Sequence, residues 1–203
     1  MLWDFGGVIL SSPFEAFNRY EVERGIPADT IRTINAANPH TNAWALLERN
    51  EISATEFDAA FAAEAAALGH EIPGGDVLRL LSGDVRPEMV EALRRVIAAG
   101  YRTACLTNNV VDDAQVPRPE VEAVMALFDE VVESRVVGVR KPEPAFYEIA
   151  CARLGVEPGE CVFLDDLGIN LKPAAAMGMT TVKVTGAAQA IADLEAVLGI
   201  PLG

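Results

Sequence analysis

Histidine and cysteine are too scarce in this chain to carry its chemistry. The two histidines, His40 and His70, both fall in a helical, alanine-rich stretch, which argues against a His-based metal centre or a Ser-His-Asp triad. The three cysteines, Cys105, Cys151 and Cys161, sit inside apolar runs (TACLT, EIACARL, ECVFL). An odd count without regular spacing gives neither a disulfide framework nor a zinc site. Reduced, buried thiols in a cytoplasm are the reading they support. Also missing are a basic-then-apolar leader and any apolar run near the 18 or so residues that a membrane span requires. Positive charge is in deficit: 16 basic against 30 acidic residues leave a net charge of −14. Such a field repels nucleic acid and anionic lipid, so neither a groove-tracking nor a membrane-surface role is expected. It repels phosphate-bearing substrates too, so any anion site must be built locally.

What is present is ordinary for a soluble domain. The 203 residues, 51% hydrophobic and 23% charged, suffice for one domain, or for one domain carrying an insert. From about residue 102 onward, β-rich runs at Arg102–Thr107, Glu130–Glu133, Cys161–Leu164 and Thr180–Val184 alternate with amphipathic stretches. The latter are Pro144–Leu154, Ile169–Met177 and Ala187–Leu198, and a helix over Pro87–Ala99 precedes them. Strands alternating with helices of this length indicate an α/β fold, a parallel sheet covered on both faces. Between about Ser12 and Gly83 no strand is convincing. Helical spacing predicts Phe14–Arg24, Asp29–Ala37, Asn42–Arg49 and Ala54–Leu68, with Ser53 and Glu56 forming a capping box before the last. The expected organisation is a Rossmann-like core over residues 1–12 and 84–203 and a helical cap over residues 13–83, with hinges near Ser11–Pro13 and Gly74–Arg86. Only Met1-Leu2-Trp3 precede Asp4, which makes the first strand unusually short.

Four segments place polar groups after an apolar run expected to be a strand: LWDFGGV with Asp4, CLTNN with Thr107, Asn108 and Asn109, VRKPEP with Lys141, and VFLDDLGIN with Asp165, Asp166 and Asn170. In open α/β sheets ligands bind outside the carboxyl ends of the strands. Together the segments offer a carboxylate on a glycine-rich turn, a hydroxyl with an amide, a lysine and a carboxylate pair. Carboxylates from two loops suit Mg²⁺ by oxygen ligation. The metal and a lysine can neutralise a phosphoryl group while another carboxylate attacks phosphorus. Thr107 and Asn108 would donate to the phosphoryl oxygens, helped by backbone N–H groups of their turn. Gly6 and Gly7 let the backbone come close to metal and substrate. Asn170 reads as a loop brace, and Asp112-Asp113 as the opening of a helix or as groups facing the site.

The order Asp, Thr, Lys, Asp-Asp resembles the haloacid-dehalogenase-like superfamily over nearly the whole chain, with the helical insert where that superfamily places its first cap. The strings KPEPAFY and FLDDLGINLKPAAAMGM are similar to the N-terminal phosphatase domain of soluble epoxide hydrolases. They are similar also to the related region of some acyl-CoA dehydrogenase-family proteins. The resemblance implies a Mg²⁺-dependent phosphatase acting on a small phosphorylated substrate through an aspartyl-phosphate. Asp4 is then nucleophile and metal ligand, Lys141 a catalytic and phosphate-binding residue, and Thr107 and Asn108 phosphate contacts. Asp166, with Asp165 beside it, and the backbone carbonyl of Gly6 complete the metal set. One departure stands out. The phosphatase pattern is D-x-D, whose second Asp shuttles the proton, and here that position is Gly6. Loss of a positioned acid/base costs roughly 10²–10⁴ in rate. A 2-haloacid dehalogenase, and a degenerate protein that holds a phosphorylated ligand and turns it over poorly, stand as alternatives. The carboxylate pair argues against the first; Gly6 is the feature that raises the second.

Overall fold

The computed structural model describes residues 1–110 and 118–203; Asp112 and Asp113 lie outside them. A five-stranded, wholly parallel sheet runs in the order β3-β2-β1-β4-β5, formed by β1 (Leu2–Asp4), β2 (Ala104–Thr107), β3 (Glu130–Glu133), β4 (Val162–Asp165) and β5 (Thr180–Lys183). Its central strand is the three-residue β1. So short a strand holds because it is paired on both sides, Leu2 with Ala104 and Phe163, Trp3 with Cys105 and Leu164. Alternation then sends successive side chains to opposite faces. Trp3 enters one apolar layer with Leu93, Val96 and Leu194; Leu2 enters the other with Phe146, Tyr147 and Leu171.

Five helices form the insert that follows β1: α1 (Phe14–Arg24), α2 (Thr30–Ala36), α3 (Ala43–Glu48), α4 (Ala54–Ala67) and α5 (Gly74–Arg79). They close on a core of their own, in which Phe17, Ile34, Leu47, Phe57, Phe61 and Val77 are buried. The apolar positions of the insert thus pack against one another. Phe57, Phe61 and Ala65 form the buried stripe of α4, and the Ser53–Glu56 capping box is present at its start. The α5 segment corrects the expectation of a linker running from Gly74 to Arg86. A Cβ on Gly74 would lie 2.8 Å from the Cα of Asp58, so glycine, a poor helix former, is needed there for α5 to pack on α4. The chain enters and leaves the insert side by side, with Ser11 N–H donating to the Asp84 carbonyl at 2.8 Å and Leu10 bridging Val85.

The remaining helices are α6 (Pro87–Ala98), α7 (Pro119–Met125), α8 (Ser134–Val137), α9 (Pro144–Leu154), α10 (Gly168–Ala176) and α11 (Ala187–Leu198). α6 and α11 cover one face of the sheet, α9 and α10 the other. The chain leaves β1 toward β2 on one side and later returns to β4 on the other. Their carboxyl ends therefore border the crevice at which the strand order reverses, the place where such sheets bind ligands.

Candidate active site

Asp4 ends β1 and opens a wide turn over Phe5–Ile9, closed by the Leu10 N–H donating to the Phe5 carbonyl at 2.8 Å and not helical at Gly6 and Gly7. Its Oδ1 accepts the Phe5 N–H at 2.6 Å and pairs with Lys141 Nζ at 2.6 Å, which pins the carboxylate. Gly7 has φ +78°, and a Cβ there would lie 2.2 Å from Asp166 Oδ2. Only glycine lets the β4 loop come so near the turn. Gly6 differs: its φ of −70° and ψ of 131° are open to any residue, and a Cβ would meet nothing within 4 Å.

Asp165, the last residue of β4, is fully buried. Its oxygens accept Asn170 Nδ2 at 3.0 and 3.1 Å, the Leu167 N–H at 2.7 Å and Lys141 Nζ at 3.0 Å. Asn170 is the brace that the sequence suggests. Asp166 accepts the Ser12 hydroxyl at 3.3 Å. Asp4, Asp165 and Asp166 each bring a carboxylate oxygen within 4.8 Å of the others. Facing them is Lys141, 1% exposed, whose Nζ also donates to the Leu106 carbonyl at 2.9 Å.

Three carboxylates against one ammonium, all out of water, set the electrostatics. Burial, and then the charge of Asp165, push the Asp4 carboxyl well above its ordinary range. The same two causes push Asp166 up to about 6. Burial works against the charge of Lys141, but Asp165 and Asp4 outweigh it and hold its pKa above the usual lysine value. A cluster so short of positive charge, offering oxygen donors only, fits a hard divalent cation.

Thr107 ends β2 and is buried. Asn108 beyond it clamps the lysine loop: its Oδ1 accepts the Lys141 N–H at 2.9 Å and its Nδ2 donates to the Lys141 carbonyl at 3.0 Å. Lys141 itself corrects one expectation. It does not directly follow a strand, because β3 passes at once into α8, and the run VVGV that precedes it is largely that helical turn.

Glu48, at the end of α3, is the residue that the sequence reading missed. Its carboxylate accepts Asn108 Nδ2 at 3.1 Å and an ion-paired N–H from Arg140. Burial holds the Glu48 carboxyl above its ordinary range, and Arg140 offsets only part of that. Beside it, Arg49 pairs with Glu143 at 3.2 Å and Arg140 donates to the Pro39 carbonyl at 3.0 Å. The insert is thus fastened to both ends of the lysine loop.

A family model for haloacid dehalogenase-like hydrolases matches residues 1–178. The chain is 32% identical over 210 residues to acyl-CoA dehydrogenase family member 10 of Mus musculus, covering 100% of this chain and 19% of that protein. It is 30% identical over 211 residues to bifunctional epoxide hydrolase 2 of the same species, covering 97% of this chain and 38% of that protein. It therefore spans well under half the length of either relative. A dehalogenase crystal structure, 20% identical, aligns with a TM-score of 0.66 over 98% of this chain and 96% of that one, a likeness of fold.

Proposed function

The chain belongs to the haloacid dehalogenase-like hydrolases, and on that premise we propose that it is a Mg²⁺-dependent phosphatase acting on a small phosphorylated metabolite. The observation that carries this reading is the meeting of Asp4, Asp165 and Asp166 with buried Lys141 at the strand tips. Asp4, Asp166 and the Gly6 carbonyl would hold the metal, with Asp165 beside them. Bound there, Mg²⁺ would supply charge neutralisation to the phosphoryl oxygens.

The chain's own groups do the rest. Lys141 fixes the Asp4 carboxylate and adds one positive charge where the phosphoryl group arrives. A carboxylate oxygen of Asp4 attacks phosphorus as the ester P–O bond breaks. The departing alkoxide takes its proton from solvent, because Gly6 offers none. Water then attacks the aspartyl-phosphate, releasing inorganic phosphate and returning Asp4. Thr107 donates its hydroxyl to the phosphoryl oxygens. The Asn108 side chain is already committed to Lys141 and Glu48, so its contact falls on its backbone N–H. Residues 13–83 act as the cap that covers the site, and residues 1–12 with 84–203 as the core. Three free, buried thiols suit a reducing compartment such as the cytoplasm, and no helix among the described residues is long and apolar enough to cross a membrane.

The test is phosphate release from phosphomonoesters with Mg²⁺ or with chelator, in wild type and in Asp4→Asn. Release that needs the metal and disappears in a folded Asp4→Asn is expected. Turnover near wild type in that variant would exclude the aspartyl-phosphate route.

A further inference from the structure

Beside the carboxylate cluster lies a cavity of about 230 Å³ with Asp166 in its wall. The chain's charge makes its lining unusual. Acidic residues outnumber basic ones 30 to 16, yet Arg32 of α2, Arg86 before α6 and Lys183 at the end of β5 all line this one cavity, and Glu15 of α1 faces them. The three cations come from elements far apart along the chain, so no local run of basic residues accounts for their meeting.

Their present partners leave most of their donors open. Arg86 gives one N–H to the Gly7 carbonyl at 2.9 Å, of the five that a guanidinium carries. Arg32 lies over the Phe14 ring, its Cζ 4.2 Å from the centroid, a contact that uses none of its N–H donors as hydrogen bonds. Its ion pair is with Asp29, the residue three before it, at 3.3 Å on exposed surface, an arrangement worth little. Lys183 makes no ion pair among the described residues. Size restricts the occupant further: the cavity is smaller than the usual range for drug-sized ligands, so a long apolar chain is a poor match.

We propose that this cavity receives a second anionic group of the substrate, which is therefore a compact phosphomonoester bearing a carboxylate or a further phosphate. The inference rests on the phosphatase reading of the neighbouring site. Once Asp166 is engaged by the metal of that reading, Glu15 is the one acidic residue of the lining left against three cations, and a ligand without a second negative charge would leave that excess unmatched. Arg32 then ties specificity to the insert, since α2 belongs to it while Lys183 belongs to the sheet. The bound anion bridges the two.

Calorimetry in the presence of Mg²⁺ separates the possibilities without relying on turnover. The ligands are propylphosphonate, 3-phosphonopropanoate and propane-1,3-bisphosphonate, matched in length and differing in the far group. The wild-type protein should bind at least one of the charged pair about tenfold or more tightly than propylphosphonate. Which of the two is preferred identifies the second group. In the double variant Arg32→Gln, Lys183→Gln that ratio should fall to about twofold or less. Equal binding of all three ligands by wild type would overturn the proposal while leaving the phosphatase reading standing, and so would a ratio unchanged in the double variant. If none of the three binds, the phosphoryl site itself is misread, and this inference falls with it.

Discussion

Replacing Asp166 by asparagine should make the metal-free protein more stable and at the same time deprive it of its response to magnesium. Burial and the neighbouring Asp165 push the Asp166 carboxyl from its ordinary 3.8 up to about 6. A proton held more tightly in the folded state means that ionisation costs folded stability. The cost is absent below about pH 4, sets in between there and pH 6, and is complete above. At roughly 1.4 kcal/mol for each pH unit of displacement, it reaches about 3 kcal/mol as an upper bound. Asparagine keeps an oxygen for the Ser12 hydroxyl and removes the charge. Thermal melts in chelator at pH 7.5 should therefore place Asp166→Asn several degrees above wild type, at roughly 2–4 °C per kcal/mol for a chain of this length. At pH 4 the two should coincide. With Mg²⁺ at a hundred times its Kd, wild type should gain about 2.7 kcal/mol and the variant much less. A variant that melts below wild type in chelator at pH 7.5 would refute the claim that the carboxylates repel one another. An equal gain with magnesium would remove Asp166 from the metal site.

Three further substitutions probe the turn and the insert. Gly6→Asp, at a position with ordinary backbone angles and room for a side chain, should raise phosphatase turnover about tenfold or more by restoring a proton shuttle; an unchanged steady-state rate would show that the shuttle is supplied from elsewhere. Gly7→Ala should abolish detectable Mg²⁺ binding by calorimetry and lower stability by about 1–3 kcal/mol, because its methyl would collide with Asp166 in a left-handed backbone; normal metal affinity would show that the β4 loop can move aside. Glu48→Ala strands Arg140, whose side chain is 11% exposed, and should cost about 3 kcal/mol in a denaturant titration. A change under about 0.5 kcal/mol would mean that water replaces the carboxylate.

Much of the scaffold was legible because local signals and burial agree. Helices α1, α9 and α11 and strand β3 fall on the residues that the pattern predicts. The other strands and helices that the pattern predicts shift by a residue or two at their ends, where side-chain periodicity says least, and the short helices α7 and α8 were not foreseen. α5 escaped because Gly74-Gly75 after a proline is a loop signal, and only the close approach of α4 explains those glycines. The acidic members of the site were readable from their place after apolar runs, a rule that needs no knowledge of distant contacts. Lys141 does meet Asp4 and Asp165 but is not a strand tip, since Val136 and Val137 suit a strand by propensity yet lie in α8. Glu48 was hidden for a plainer reason. Its partners Asn108 and Arg140 lie 60 and 92 positions further on, and nothing near Glu48 in sequence distinguishes a buried carboxylate from a solvated one.

The seating of β1 between β2 and β4 has a consequence for how the chain is assembled. Both strands that pair with it come from beyond position 103, the second from beyond position 160, whereas every buried member of the insert's core lies between residues 17 and 77. As the polypeptide emerges during synthesis, the helices of the insert have their buried apolar partners in hand while the opening strand still lacks both of the strands that pair with it. Contacts so distant in sequence form slowly, and until then a hydrophobic ribbon carrying Leu2 and Trp3 stays exposed. Damage to the late strands would thus strand a folded helical module on an unfinished sheet, with that ribbon free to associate with other chains.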